Sequence, residues 1–199
     1  MAVYKLKTPI SEEDVRKLKV NDTIYITGII FTARDEAHHR ALEFHEKRKE
    51  LPIDLRGLAV FHCGPIVKKK GDEWIIVAAG PTTSTRMDLL EDEFIKNFRV
   101  RVVIGKGGMG KRTTDAMKKY GAVYGALTGG AAVLAAKAIK NVRSVEWFDL
   151  GMPEAMWILE VEEFGPLTVA IDAHGNNLFE DVRKRVEETK QKIYEKLDT

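Results

Sequence analysis

A glycine-rich segment with two lysines is the first part of this sequence that could bind a charged ligand. Val102 to Asp115 reads VVIGKGGMGKRTTD, and Gly105 to Lys111 satisfies the pattern G-x-x-x-x-G-K of nucleotide-binding P-loops. The next position, where a Ser or Thr hydroxyl would hold Mg²⁺, is Arg112. Consecutive glycines before a helix still expose backbone N–H groups, which bind a carboxylate as readily as a phosphate. The segment therefore predicts an anion site with a lysine beside it.

A P-loop nucleotide-binding protein is the alternative interpretation of this segment. The loop follows an apolar strand and precedes a helix, and Leu167–Asp172 (LTVAID) resembles a Walker B strand that ends in a carboxylate. Thr113, however, comes one residue too late, and one residue turns a helical side chain by about 100°. We therefore favour another anion and keep nucleotide binding as an alternative from a different functional class.

A second candidate site lies at another junction between a strand and a helix. The segment AAGPTTSTRMD, Ala78 to Asp88, supplies the adjacent hydroxyls of Thr82 and Thr83 and then the guanidinium of Arg86. Taken alone, the hydroxyls are equally typical of helix caps and the arginine of a surface ion pair.

A third junction, FTARDEAHHR from Phe31 to Arg40, supplies Arg34 and places His38 and His39 beside it. Histidine is a candidate for acid–base work by its chemistry, so a role for either one stays open. Three cationic junctions in one small domain suggest a ligand with more than one negative group.

The elements that must position these junctions form a mixed α/β pattern without strict alternation, which predicts a layered α/β or α+β fold. The predicted helices are Ser11–Leu18, Asp35–Glu50, Thr85–Phe98, Thr113–Gly121 with a threonine cap, Gly129–Asn141 and a charged C-terminal helix at about 179–198. The predicted strands are Thr23–Ala33, GLAVFHCGP, EWIIVAAGP, RVRVVIG, AVYGAL, VRSVEWFDL, AMWILEVEEFG and PLTVAIDAHGN. Without a clear linker, residues 1–199 are expected to form a single domain.

Composition excludes several function classes. The 32 basic and 30 acidic residues give a net charge of +2, so nothing indicates a nucleic-acid partner. The start lacks the apolar core of a signal peptide, and no apolar run approaches the roughly 20 residues of a membrane helix, so we expect a cytoplasmic protein without a membrane partner. Cys63 is the one cysteine, which excludes a cysteine-ligated metal cluster built from this chain alone.

Six segments, in this order, resemble the β subunit, or C-terminal domain, of class I iron–sulfur hydro-lyases, which comprise class I fumarate hydratases and L(+)-tartrate dehydratases. They are TARDEAHHR, LPIDLRG, GPTTSTRMD, GKGG, TDAMKKYGAVYGALTGGAAVLAAKAIK and LGMPEAMWILEVEEF. The resemblance spans roughly Thr23 to Asn177 and implies a swivelling β/β/α domain that is half of an enzyme. It implies an α subunit that holds a [4Fe-4S] cluster, a small dicarboxylate substrate and a higher hetero-oligomer, so Cys63 should not be a cluster ligand.

The resemblance also implies roles for individual residues. Thr82 matches the base that takes the proton from carbon, Arg86 and Lys106 match substrate-binding positions, and Arg34 matches a further carboxylate-binding arginine. Lys111 would then be a solvated bystander, and the catalytic histidine of the family lies in the other chain.

Three functions therefore remain open at this stage. We expect the β subunit of a fumarate hydratase, with L(+)-tartrate dehydratase as the alternative, because Gly107-Gly108-Met109 departs from the Gly-Asn of many single-chain fumarases and leaves the substrate open. The nucleotide-binding protein and a non-catalytic anion-binding module are the alternatives from other classes.

Overall fold

The structure is a computed structural model, and it describes residues 1–197. The strands in this part of the chain are β1 (Val3–Lys7), β2 (Thr23–Thr32), β3 (Ala59–Phe61), β4 (Ile66–Lys70), β5 (Glu73–Ala78), β6 (Val102–Gly105), β7 (Val123–Ala126), β8 (Ile139–Glu146) and β9 (Met156–Ile171). The helices are α1 (Glu12–Lys17), α2 (Asp35–Glu46), α3 (Asp88–Phe98), α4 (Lys111–Tyr120), α5 (Ala132–Ala138) and α6 (Leu178–Leu197). Short 3₁₀ turns include Ser84–Arg86.

The centre of the fold is a seven-stranded sheet in the order β1-β2-β3-β6-β7-β9-β8. Strands β1, β2, β3, β6 and β7 run parallel to their neighbours, whereas β9 runs antiparallel to β7 and β8. Strand β9 also pairs with β2, and this pairing closes β2, β3, β6, β7 and β9 into a barrel. Strands β4 and β5 form a separate two-stranded antiparallel sheet.

Two hydrophobic cores lie on the two sides of this sheet. One contains Phe61, Ile104 and Trp157, and the small β4–β5 sheet packs against it through Trp74. The other lies between the sheet and helices α2, α3 and α4 and contains residues such as Phe94. The layers are thus a small sheet, a large sheet and helices, which confirms the mixed α/β prediction and agrees with the expected β/β/α order.

The predicted elements are largely present, although several helices are shorter than expected. Helix α2 ends at Glu46 rather than Glu50, and α3 begins at Asp88 rather than Thr85. Helix α5 ends at Ala138 because Ile139 already pairs with Val161 of β9. Strands β1 and β4 were not predicted.

The prediction of two strands around Gly165-Pro166 is wrong, because one strand, β9, continues through both residues. A proline lacks the N–H that a sheet interior requires. Pro166 lies between Phe164 and Leu167, where the pairing of β9 with β2 shifts register. On the other edge of β9, Pro166 falls between the segment that pairs with β8 and the segment that pairs with β7. The missing donor therefore breaks no ladder bond.

The C-terminal helix begins at Leu178, one residue before the predicted start. The predicted end at residue 198 lies outside the described residues. Its first turn is anchored by Asn177, whose side-chain oxygen accepts from the Phe179 N–H at 3.0 Å. Among the helices within residues 1–197, none has both the length and the apolar character needed to cross a membrane.

Candidate functional site

The predicted site residues lie along one edge of the sheet, where the parallel strands end. Thr32, Phe61 and Ile104 are aligned neighbours on β2, β3 and β6. The residues that follow them therefore emerge side by side. Arg34 comes just after β2, and Lys106 just after β6. The carboxyl edge of parallel strands is the usual position of ligand sites in such sheets.

The segment Pro81–Ser84 is held between the ends of β3 and β6. The Thr82 N–H donates to the carbonyl oxygen of His62 at 2.6 Å, and the Ser84 N–H donates to the carbonyl oxygen of Lys106 at 2.8 Å. Because both bonds are made by the backbone, the segment continues the sheet by two short bridges. Thr82 and Lys106 are thereby fixed near each other, although they are distant in sequence.

Close contact at this junction requires a glycine. A side chain at Gly105 would place its Cβ 1.9 Å from the Ser84 Oγ, well inside any allowed contact. The sequence motif around Gly105 thus has a packing reason that differs from phosphate binding.

The hydroxyl of Thr82 is half buried and makes no hydrogen bond within the described residues. The following 3₁₀ turn begins after Thr83, and the side chain of Thr83 does not cap it either. The interpretation of the two hydroxyls as helix caps is therefore wrong, and the Thr82 hydroxyl has no structural partner in this part of the chain.

Both arginines hold carboxylates of the chain itself. Arg86 donates through Nη2 to the Asp35 Oδ2 at 2.6 Å, and its side chain is 49% exposed. Arg34 forms a salt bridge from Nε to the Glu154 Oε1 at 3.1 Å, and both side chains are mostly buried. Both Nη atoms of Arg34 and the second Nη of Arg86 make no hydrogen bond among the described residues. Each guanidinium can therefore still donate to an external carboxylate.

The two lysines of the glycine-rich loop differ sharply. Lys106 is exposed and forms no ion pair with the described residues, and a Cβ added to Gly129 would lie 3.7 Å from its Nζ. Lys111 pairs with Asp115 at 2.7 Å on the exposed face of α4, one turn away. Lys106 thus lies at the strand-end edge without an ion pair in this part of the chain, whereas Lys111 is paired; the roles of both lysines stay predictions.

The predicted anion site at the start of α4 is already occupied by a side chain. The Asp88 Oδ1 accepts from the Gly110 N–H at 2.9 Å and from the Thr113 hydroxyl at 2.7 Å. The helix begins at Lys111 after Gly110, so the predicted threonine cap is also wrong. The internal carboxylate thus binds the Gly110 N–H, at the helix start where an external anion would otherwise bind.

The loop also lacks the space of a phosphate cradle. Gly108 has a φ of +74°, and a Cβ there would lie 2.3 Å from the ring of Phe179, which therefore covers the loop. The supposed Walker B residue, Asp172, lies near the start of β2 and accepts from the N–H groups of His174 and Asn176, both at 3.0 Å. It stands at the opposite edge of the sheet from Lys106. The nucleotide-binding alternative is therefore wrong.

A network of buried polar side chains lies directly beneath the site edge. His62 lies between Ser84, 3.0 Å from its Nδ1, and Glu91, 2.9 Å from its Nε2. His38 approaches the same Glu91 oxygen at 3.2 Å, and the Ser84 Oγ lies 2.9 Å from the Tyr124 hydroxyl. All five side chains are buried.

Sequence reasoning identified His38 only as a neighbour of Arg34 and did not connect it with Glu91. The spacing of Glu91, three and four residues before Phe94 and Ile95, places it on the apolar face of α3, but no local pattern shows that two histidines from other elements enclose it. His39 is exposed, whereas His38 is fully buried. The network connects two of the three predicted junctions, because His38 belongs to α2 and Ser84 to the segment before α3.

The single cysteine does not have the properties of a metal ligand. Cys63 is buried, and burial raises the pKa of its thiol to about 12, although Arg34 acts in the opposite direction. A metal-binding thiol is deprotonated. The described residues therefore provide no thiolate.

The family described as Fumarase C-terminus matches residues 2–182 of this chain. The chain is 46% identical over 192 residues to L(+)-tartrate dehydratase subunit beta of Escherichia coli (strain K12), with 96% of this chain and 94% of the relative covered. It is 48% identical over 190 residues to a provisionally named L(+)-tartrate dehydratase subunit beta of Methanocaldococcus jannaschii, which covers 95% of this chain and 94% of that relative.

A third relative has a different length. A provisionally named fumarate hydratase class I of Geobacillus stearothermophilus is 45% identical over 183 residues, which are 92% of this chain but 34% of that protein. The same module thus occurs as a separate subunit and as part of a longer chain. From the match over residues 2–182 and the identity along almost the whole length, the chain belongs to the fumarase C-terminus family, the family of class I hydro-lyase β subunits.

Proposed function

We propose that this chain is the β subunit of a two-subunit class I hydro-lyase that adds water reversibly to fumarate to give malate. The observation that carries the proposal is the position of Thr82 at the open edge of the sheet, in a segment whose next residues bridge to Lys106, with its hydroxyl free of hydrogen bonds among the described residues. We further propose that residues 1–199 act as one domain that supplies this half of the active site.

The other half requires a separate subunit. Relatives of this family are named as beta subunits, and the enzymes of the resemblance depend on an iron–sulfur cluster. The residues of this chain do not fit such a cluster, because its single thiol is buried and its pKa is raised to about 12. We propose that the α subunit holds the cluster.

The cations of this edge suit a substrate with two carboxylates. Arg86 and Lys106 are exposed there, and Arg34 lies next to them with its guanidinium partly covered. A carboxylate that binds an arginine or lysine forms a charge-assisted hydrogen bond, which orients it more firmly than a neutral bond. We propose that these cations fix both ends of the substrate.

Thr82 is the proposed base for the proton on carbon. A proton beside a carboxylate is weakly acidic, so its removal needs a base at short range and a cation that stabilises the developing negative charge. Lys106 and Arg86 are placed to provide the charge. A threonine hydroxyl is a poor base by itself, and we propose that a carboxylate of the α subunit accepts its proton. In the hydration direction the same hydroxyl returns the proton to carbon.

Dehydration of L(+)-tartrate to oxaloacetate is the second candidate. The observation in its favour is the length of the matches, because both relatives named as L(+)-tartrate dehydratase subunits are covered over 94% of their length. The two reactions need the same cations and the same base. They differ in one substrate hydroxyl, which the shape of the completed pocket must distinguish.

The test is anaerobic co-expression with the cysteine-rich α subunit, followed by assays of both reactions. Fumarate hydration at a rate well above tartrate dehydration supports the first candidate, and the reverse ratio supports the second. A third outcome is a complex with a full complement of iron that binds both dicarboxylates and turns over neither. That outcome would favour the non-catalytic anion-binding module and contradict the proposal.

A further inference from the structure

Beneath the site edge, three ionisable groups lie in contact without any access to solvent. We name His38, Glu91 and His62 the His–Glu–His cluster; each side chain is 0% exposed. A buried charge is costly unless it has a partner of opposite sign and its hydrogen bonds are complete. The arrangement of donors and acceptors therefore restricts where the protons can be.

His38 has an acceptor at each ring nitrogen. Its Nδ1 lies 2.8 Å from the carbonyl oxygen of Arg34, and its Nε2 lies 3.2 Å from the Glu91 Oε2. A carbonyl oxygen and an ionised carboxylate can only accept. A neutral imidazole has only one N–H, so its other ring nitrogen would direct a lone pair at an oxygen. Both contacts are therefore satisfied only if both ring nitrogens of His38 carry a proton.

His62 is different because one of its partners is a hydroxyl. Its Nε2–H donates to the Glu91 Oε2, and its Nδ1 accepts from the Ser84 hydroxyl, which in turn accepts from the Tyr124 hydroxyl. A neutral imidazole satisfies all of these contacts. Burial lowers the pKa of His62, although the Glu91 carboxylate acts in the opposite direction, so the neutral form is favoured.

Glu91 provides the negative charge of the cluster. Burial by itself raises the pKa of Glu91, but His62 and His38 lower it to about 2, so the carboxylate is ionised at neutral pH. Other groups that act on the cluster are Asp35, which favours a protonated His62, and Tyr124, which faces it through Ser84. One carboxylate and one imidazolium leave the cluster neutral as a whole.

The cluster is connected to each segment of the site by hydrogen bonds. The carbonyl that His38 binds belongs to Arg34, which is the N-cap of α2. The backbone of His62 binds Thr82, and Ser84, whose hydroxyl contacts the His62 ring, binds Lys106 through its backbone. The cluster thus supports the backbone that carries the predicted substrate-binding groups.

We propose that His38 carries a proton on both ring nitrogens and that the His–Glu–His cluster is a positioning unit for Arg34, Thr82 and Lys106. The inference about position rests on the proposed function, whereas the protonation state does not. Neither histidine reaches the substrate, so their effect is on the geometry of the binding groups.

The three atoms are also of the kind that bind zinc, and the structure argues for hydrogen bonds. Both Nε2 atoms lie at hydrogen-bond distance from the same carboxylate oxygen, Oε2, and the other oxygen, Oε1, has no partner within the described residues. Two N–H donors on one oxygen account for this convergence without an ion. Metal content is therefore one of the measurements below.

The protonation state is tested by long-range ¹H–¹⁵N spectra of the histidine side chains in the full chain, from about pH 6 to about pH 9. We expect one histidine with both nitrogens protonated throughout, assigned to His38 by its loss in His38→Gln, and a neutral His62 with its proton on Nε2. In Glu91→Gln, which removes the ionised acceptor of the His38 Nε2, the doubly protonated signal should be lost. Glu93→Gln, which removes a carboxylate from the exposed face of the same helix, is the matched control and should leave the spectrum unchanged.

The positioning role is tested by kinetics of the complex with the α subunit. In Glu91→Gln we expect kcat/KM to fall on the order of 10- to 100-fold, the scale of a misplacement of about 1 Å. The variant should also have a pH profile of kcat/KM that differs from that of Glu93→Gln. Glu91→Asp, which keeps the charge, should recover the imidazolium signal and part of the activity.

Three results would overturn the proposal. These are a neutral His38 in the unchanged chain, stoichiometric zinc in the purified chain, and a Glu91→Gln variant with the kinetics and the pH profile of Glu93→Gln. If the complex turns over no dicarboxylate at all, the proposed function fails, and the spectra alone still decide the protonation state.

Discussion

The backbone N–H of Thr82 donates to the carbonyl oxygen of His62 at 2.6 Å, while the Thr82 hydroxyl makes no hydrogen bond within the described residues. The position of Thr82 is therefore determined by the backbone and by the strand end to which it is bound. Its hydroxyl is left for a ligand or a partner chain. Because the backbone fixes the position of Thr82, a substitution that removes only the hydroxyl tests the role of that group by itself.

Thr82→Val keeps the branched shape and removes one oxygen. We expect kcat of the reconstituted enzyme to fall at least about 100-fold, the usual scale of acid–base catalysis, with a much smaller change in KM. The melting temperature should stay nearly constant, because no bond to the protein is lost. Thr83→Val is the matched control, since Thr83 is exposed and neighbouring. A Thr82→Val enzyme with normal kcat and a lowered melting temperature would contradict the catalytic assignment.

The two lysines of the glycine-rich loop give a second matched pair. Lys106→Ala should reduce kcat/KM by roughly 30- to 1000-fold, which is about 2–4 kcal/mol for a lost charge-assisted bond to a carboxylate. Lys111→Ala removes only an exposed pair with Asp115 and should change kcat/KM less than about twofold. Steady-state kinetics of both complexes distinguish the two, and the opposite ranking would return the anion site to the start of α4.

Asp88 is expected to matter for stability more than for activity. It accepts from the Gly110 N–H and the Thr113 hydroxyl, so Asp88→Ala should lower the free energy of unfolding by about 1–2 kcal/mol, as for the loss of a helix cap. Urea unfolding of the full chain measures this. Asp115→Ala, which removes a carboxylate from the exposed side of α4, should change the free energy of unfolding by less than about 0.5 kcal/mol. Equal effects of the two changes would show that Asp88 is not a cap.

The His–Glu–His cluster predicts a specific acid sensitivity. The folded-state pKa of Glu91 is about 2, below its ordinary value of 4.5, so its contribution to stability is present above about pH 4.5 and is lost as the pH falls toward 2. Burial lowers the pKa of His62 below 6.5 in the folded chain. As the pH falls below about 6.5, the unfolded chain therefore binds a proton that the folded chain does not, and the stability of the fold declines there as well.

Urea unfolding at several pH values separates the two contributions. The unchanged chain should lose stability in both intervals, with Glu91 contributing on the order of 3 kcal/mol between pH 4.5 and 2. Glu91→Gln should be less stable at neutral pH and should show a shallower decline below pH 4.5, whereas Glu93→Gln should follow the unchanged chain. Parallel profiles for all three proteins would mean that Glu91 is not an ionised buried group.

The fold and the strand-end site were largely predictable, because hydrophobic periodicity, Gly-Pro turns and cap residues are local signals. The Ser11 cap of α1, for example, is present as predicted. The errors concern groups whose partners are distant in sequence. The start of α4 is capped by Asp88 of another helix, and Phe179 covers Gly108. No local pattern around Gly107 or Thr113 reports either contact, so the loop suggested a free anion site that tertiary structure has filled.

The buried network was unpredictable for the same reason. His38, His62 and Glu91 come from α2, the end of β3 and α3, and only the parallel order of β2 and β3 brings their elements together. From sequence, Glu91 is one acidic residue among several on a charged helix. Its spacing from Phe94 and Ile95 places it on the apolar face of α3, but no local signal reports the two histidines that bind it there.

The most direct test of the central claim is the anaerobic rate of fumarate hydration by three samples: this chain alone, the α subunit alone and the two combined. We expect this chain alone to have no activity and no iron–sulfur absorbance, and we expect the α subunit alone to turn over no fumarate. The combined sample should be active, and Thr82→Val should abolish that activity. Iron–sulfur absorbance in this chain by itself, or full turnover by the α subunit without it, would contradict the account.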